Sequence, residues 1–214
     1  MKSEGYFLQD DNDEGLLFPM NEGNWHSYLA AIDAETGRFF KLFIENKHIS
    51  NHLDVVFDAM QWGKIIFNGG GFMDGEEVEV VTFHKSPINI ASRAIFFFME
   101  KIWDIFVSEC KSLNAAACWR LSKLMASMQR EMLSGVASVD AGEYALGICH
   151  FKSVIAEVNC AIVAARGLPD DCEKATMFAK DFSVALFDIR EIAWQSIMLC
   201  NISEKSHGEG PHFS

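Results

Sequence analysis

Four apolar segments with helical spacing follow Pro87, joined by breaks of only a few residues. An amphipathic helix must bury its apolar stripe, and short connections make consecutive helices antiparallel neighbours. The second half of the chain is therefore expected to be a bundle. Ser86-Pro87 opens its first helix, because proline's missing N–H is an orphan at that position anyway. That helix spans about 88–111, with Ile95, Phe98, Ile102, Ile105 and Phe106 in the stripe. Phe96, Phe97 and Trp103 widen the stripe until most sides are apolar. Such a helix belongs at the centre. Asn114 begins a second helix, with Leu121, Leu124, Met125, Met128 and Met132 on one face and Gly135 as its stop.

Ser138 or Asp140 starts the third helix. Its row Tyr144, Ile148, Phe151, Ile155, Val158, Ile162 and Ala165 ends at Arg166-Gly167. Pro169-Asp170-Asp171 starts the fourth, since acids favour the positive helix end. Phe178, Phe182, Ala185, Ile189, Ala193 and Ser196 mark its row. The polar, glycine-bearing stretch 203–214 is expected to be a flexible tail.

Before Pro87 the periodicity is mixed. Leu16-Leu17-Phe18, stopped by Pro19, reads as an edge strand. Residues 25–45 read as a hairpin turning at Asp33–Gly37, with Phe39 to Ile44 as the return strand. Ile49, Leu53, Val56, Phe57 and Met60 step as a helix, capped by Ser50 or Asn51 and closed by Gly63. Ile65-Ile66-Phe67 is β-prone, Asn68-Gly69-Gly70-Gly71 is a break, and 77–83 alternates like a strand with one acidic face. The expected fold class is α+β: a small antiparallel sheet with one helix, residues 1–86, packed on a bundle of about four antiparallel helices, residues 87–202.

Charge narrows the function. The 214 residues carry a formal net charge of −12. Half of the 30 acids, but only 6 of the 18 bases, fall in residues 1–90. An acidic surface repels nucleic-acid phosphates and steers basic proteins toward it. No nucleic acid is expected as a partner. The most apolar stretch, Ile88 to Phe98, contains Arg93 and is shorter than the roughly 18 residues of a membrane span. Met1-Lys2-Ser3-Glu4 opens no apolar leader. The expectations are no membrane and a cytoplasmic setting. Cysteines at 110, 118, 149, 160, 172 and 200 form no CxxC pair and read as buried reduced thiols.

Few residues point to chemistry. His48 and His52 have the i, i+4 spacing that puts two imidazoles on one helical face. Such a pair can bind zinc or another transition metal, with a third ligand from His26, His84 or His150, but two solvated loop histidines are the simpler reading. The glycine run at 69–71 lacks the Gly-Lys-Ser/Thr ending of a phosphate loop and is followed by acids at 74, 76 and 77. Cys149 and His150 are adjacent, so on a helix they point about 100° apart. Glu143, His150 and Glu157 step by seven along the edge of the third helix, without the Glu-x-x-His of a di-iron site. The Met-rich face of the second helix reads as core.

The expectation from these features is a non-enzymatic acidic protein that binds, and inhibits or neutralises, another protein with a basic surface. Asp10, Asp11, Asp13, Glu14, Asp74, Glu76, Glu77 and Glu79 are its contact residues, and no cofactor is required. The excess of apolar surface makes a homodimer a further expectation. The alternative is a metal-dependent hydrolase using zinc, or another transition metal, at His48 and His52.

Overall fold

The computed structural model describes residues 22–62 and 83–208. They form α1 (Glu22–Asn46), α2 (His52–Ala59), a 3₁₀ turn (Phe83–Lys85), α3 (Pro87–Glu109), α4 (Ala115–Asp140), α5 (Tyr144–Arg166) and α6 (Ala175–Gly208). Among the described residues there is no strand, so the α+β expectation is overturned in favour of a helical bundle. The expected edge strand at 16–18, the β-prone run at 65–67, the glycine break and residues 77–82 of the expected strand lie outside the described residues.

The largest correction is at 25–45, where the expected hairpin is one continuous helix. Ile32, Phe39 and Phe43 are buried, at spacings of seven and four, while Asp33, Glu35, Gly37 and Lys41 stay in solvent. The apparent turn Asp33–Gly37 is therefore the polar outer face of α1. Thr36 Oγ1 donates to the Ile32 carbonyl within the same helix. A glycine in a helix interior costs about 1 kcal/mol, and burial of Phe39 and Phe43 outweighs it.

α3 has the expected position and span. Eleven of its residues are buried, Ile90, Ile95, Met99 and Phe106 among them, and it packs against α1, α4 and α6. α5 lies against both α4 and α6, and α2 against α1. Aromatic rings tie the layers together. Phe106 stacks on Phe178 at 4.4 Å between centroids, and Phe178 on Phe182 at 4.9 Å. Across α1, Phe39 stacks on Trp62 at 5.7 Å.

Helix ends differ from the expectation in several places, and α2, expected to be closed by Gly63, already ends at Ala59. α4 does not stop at Gly135 but runs on to Asp140, so Ser138 and Asp140 close α4 rather than open α5. The break falls at Gly142, whose φ of +78° is a left-handed conformation that glycine adopts without steric cost. Pro169–Asp171 belong to the connection before α6, where the Asp171 carboxylate accepts a hydrogen bond from Ser112 Oγ at 2.6 Å. At the far end, α6 carries the expected tail as helix through Gly208. Asn114 caps α4 as expected, its side chain accepting from the Ala117 N–H at 2.8 Å.

Gly135 is glycine for packing, not for termination. A Cβ there would sit 2.6 Å from the Phe151 ring of α5. Opposite, a Cβ on Gly147 would meet Val139 Cγ2 at 2.9 Å and the Gly135 carbonyl at 3.3 Å. The two glycines let α4 and α5 approach with Phe151 fully buried between them. Alanine at 135 gains about 1 kcal/mol of helix propensity and forces overpacking that costs about 1–3 kcal/mol. Gly135→Ala is expected to lower the urea midpoint, and to do so less in a Phe151→Leu background. An unchanged or raised midpoint in the single variant would show that this approach is not limiting.

Candidate functional site

The buried charged residues His52, Asp181 and Asp188 gather where the α1–α2 corner meets α6. The corner is tight: the Lys47 N–H bonds the Phe43 carbonyl at 2.8 Å and the His52 N–H bonds the Ile49 carbonyl at 3.3 Å. It projects Lys47 and His52 toward α6, whose Asp181 and Asp188 stand two turns apart on one face. Lys47 pairs with Asp181, both side chains being largely buried, and its ammonium lies 4.8 Å from the centre of the Phe98 ring. His52 Nε2 donates to Asp188 Oδ2 at 2.9 Å, and its Nδ1 lies 2.9 Å from the Ile49 carbonyl. His52 and Asp188 are 8% and 5% exposed, so these groups have left water.

The Ile49 carbonyl and an ionised Asp188 are both acceptors, and each needs an N–H to accept from. The fully bonded ring is therefore imidazolium. Consistently, the hydrogen bond to Asp188 raises the His52 pKa above 6.5, against the opposing effect of burial. Burial pushes Asp188 above its ordinary 3.8, and the His52 partner pulls it back. The two upward shifts pull against each other, since a carboxyl reluctant to ionise is a poorer counter-ion. We take the ionised pair as the neutral-pH state, because the proton between Nε2 and Oδ2 rests on the stronger base, the imidazole, whose affinity for it the bond to Asp188 raises.

This geometry revises the expected metal pair. His48 lies in the turn before α2 and is exposed, whereas His52 is the first residue of α2 and points inward. They do not share a helical face, and both ring nitrogens of His52 are engaged, by Asp188 and by the Ile49 carbonyl. Among the described residues no three His, Cys, Asp or Glu side chains are grouped to hold an ion. Of the other proposed ligands, His84 sits in the 3₁₀ turn with its ring against Phe83, and His150 belongs to α5.

A second polar seam joins α4 to α5. Glu131 Oε2 accepts from His150 Nδ1 at 2.8 Å, a bond that lowers the Glu131 pKa below 4.5. Ser127 Oγ donates to Glu157 Oε1 at 2.6 Å, while Glu157 Oε2 is buried without a hydrogen-bond partner. His150 and Glu157 of that row thus face α4 as a polar edge between the two helices. A cavity of about 210 Å³ opens at one end of the bundle between Phe83, Ile88, Val136, Tyr144, Phe151 and Cys200. Its wall is mostly apolar and contains no histidine.

Asp10, Asp11, Asp13, Glu14, Asp74, Glu76, Glu77 and Glu79 lie outside the described residues. The cysteine expectation needs amendment: none of the six is in a disulfide, Cys110 and Cys200 are buried, but Cys149 and Cys160 are exposed. Sequence reasoning missed Lys47, Asp181, Asp188, Ser127 and Glu131. One signal was present, since Asp181 and Asp188 sit among Phe178, Phe182, Ala185 and Ile189 in a row otherwise apolar. No family model, no curated protein and no solved structure matches the chain.

The pair makes stability depend on pH. Both His52 and Asp188 bind their proton more tightly in the folded chain than in the unfolded one. The His52 contribution is complete below pH 6.5 and is lost as pH rises through its raised folded value. The stability gap between the native chain and His52→Gln is expected to be widest near pH 6 and to shrink toward pH 9 in thermal unfolding. A gap that widens with pH would refute the imidazolium assignment. Asp188→Ala strands the buried cation and is expected to cost about 3 kcal/mol at pH 6.

Proposed function

We propose that this protein is a non-enzymatic binding protein whose partner is another protein presenting a basic amphipathic helix. One contrast carries the reading. The ionisable side chains inside the bundle are engaged in holding helix to helix, while large apolar side chains stand in solvent on α6. Phe187, Trp194, Met198 and Ile202 are each about half exposed, at spacings of seven, four and four along one side of that helix. Exposed apolar side chains in a row, rather than singly, mark interaction surfaces. Tryptophan and other aromatics are enriched among residues that dominate binding energy.

The charge of −12 supports a basic partner. A chain so acidic attracts basic surfaces from a distance, and the apolar row supplies the short-range contact. The acidic groups at 10–14 and 74–79 extend that field under this reading. His52, one half of the metal-site alternative, is committed to Asp188 and the Ile49 carbonyl, so nothing in the geometry favours a hydrolase.

A synthetic amphipathic peptide of leucine and lysine serves as the probe. Binding by calorimetry is expected to weaken about tenfold for Trp194→Ala, a truncation worth at least 1.4 kcal/mol. It is also expected to weaken with added salt and on reversal of Asp10, Asp11, Asp13 and Glu14 to lysine. No binding, or binding indifferent to both variants and to salt, would overturn the proposal.

A further inference from the structure

Among the described helices, α5 is the one long and apolar enough by composition to cross a membrane, with a window of mean hydropathy 1.5. Only 22% of that window is buried in the bundle. Its inner side is spent on Gly147, Phe151, Val154, Val158 and Ala161. Its outer side carries Leu146, Cys149, Ser153, Ala156, Cys160 and Val163, all exposed, with Leu146 at 50% and Val163 at 62%. The spacing is three, four, three, four, three, the repeat of a coiled-coil seam.

We infer that this face is a homodimer interface, in which α5 packs antiparallel on α5 of a second copy. Two observations select a second copy as the occupant. The first is the symmetry of the row. A two-fold axis between Val154 and Ile155 sets Leu146 against the partner's Val163, Cys149 against the partner's Cys160, and Ser153 against the partner's Ala156. Every seam position then meets a seam position, and the larger side chains at the ends face each other over small ones in the middle. A self-complementary patch of this kind is what a two-fold interface requires.

The second is charge. Copies of a chain at −12 repel one another over most of their surface. Between Tyr144 and Pro169 the only acid is Glu157, and its carboxylate is turned to Ser127 on α4. The outer side of α5 is thus a place where two such chains can touch without bringing acids together. A lipid bilayer is the other apolar surface that could cover it. Lys152 and Asn159, exposed beside the seam, disfavour burial in hydrocarbon, whereas at a protein interface both remain at the solvated rim. One helix pair of this length falls in the small, reversible class of interfaces.

Sedimentation equilibrium under reducing conditions tests the association. At about 100 μM, where a small interface of this class is populated, the native chain is expected to exceed its monomer mass of 24.0 kDa and approach twice that value. Val163→Glu is expected to weaken association at least about tenfold, because each copy would bury a carboxylate at the seam. Circular dichroism should leave its helicity unchanged, since the side chain is exposed in the monomer. The register is tested with diamide, which takes up the two thiol hydrogens as a disulfide forms. A covalent dimer is expected from the native chain. It should be lost in Cys149→Ser and in Cys160→Ser, and should return when the two variants are mixed. A monomer at every concentration, a cross-link that survives in either single variant, or flotation of the native chain with phosphatidylcholine vesicles in place of dimerisation would each overturn the inference.

Discussion

Burial of α3 on several sides is the constraint from which the rest of the bundle follows. A helix with Ile90, Ile95, Phe96, Phe98, Met99, Trp103 and Phe106 all withdrawn from water cannot lie on a surface. Its apolar area has to be covered by more than one neighbour, since a single partner helix covers a single stripe. α4 and α6 cover part of it and α1 another part. α5 then closes the bundle by packing between α4 and α6, while α2 packs on α1 and meets α6 through His52. Where α4 meets α5, Gly135 and Gly147 remove the side chains that would hold the helices apart, and Phe151 fills the space.

The buried charges fix what apolar packing leaves loose. Hydrophobic contact is non-directional, so it holds α1 and α2 near α6 without choosing a register. Lys47–Asp181 and His52–Asp188 choose one, because a buried charge without its partner is costly. These pairs need not add net stability over an apolar substitute. Their value lies in the penalty on every alternative docking. The His150–Glu131 and Ser127–Glu157 contacts act in the same way between α4 and α5, nearer to solvent and therefore more weakly.

The surfaces left over are unequal in character. α6 turns large side chains outward, among them Phe187 and Trp194, which suits a partner with pockets to fill. α5 turns outward a narrow seam of modest side chains with almost no charge, which suits the close approach of another helix. Neither surface contains a titratable pair poised at a cavity. The described ionisable groups thus divide between pairs inside the bundle and a solvent-facing surface, in a chain of net charge −12.

The bundle was legible because its signal is local. Apolar residues at three- and four-residue spacing in 88–111, the Asn114 cap and the row in α5 each specify helix without reference to the rest of the chain. α1 was not legible, because Phe39 to Ile44 alternates over too few residues to separate strand from helix, and Asp33–Gly37 has turn chemistry that burial of Ile32, Phe39 and Phe43 overrides. Gly135 was misread for the same kind of reason: a glycine that admits a neighbouring ring and a glycine that ends a helix look alike until the ring is in place. The candidate site followed that pattern, since His52 finds Asp188 across 136 residues and no local spacing encodes such a pairing. The chain alone determined its helical second half, its central helix and its negative charge, all of which depend on neighbours in sequence or on simple sums. Tertiary structure alone decided that residues 22–46 form one helix, which carboxylate each buried cation meets, and which thiols face water, because those depend on distances that packing sets.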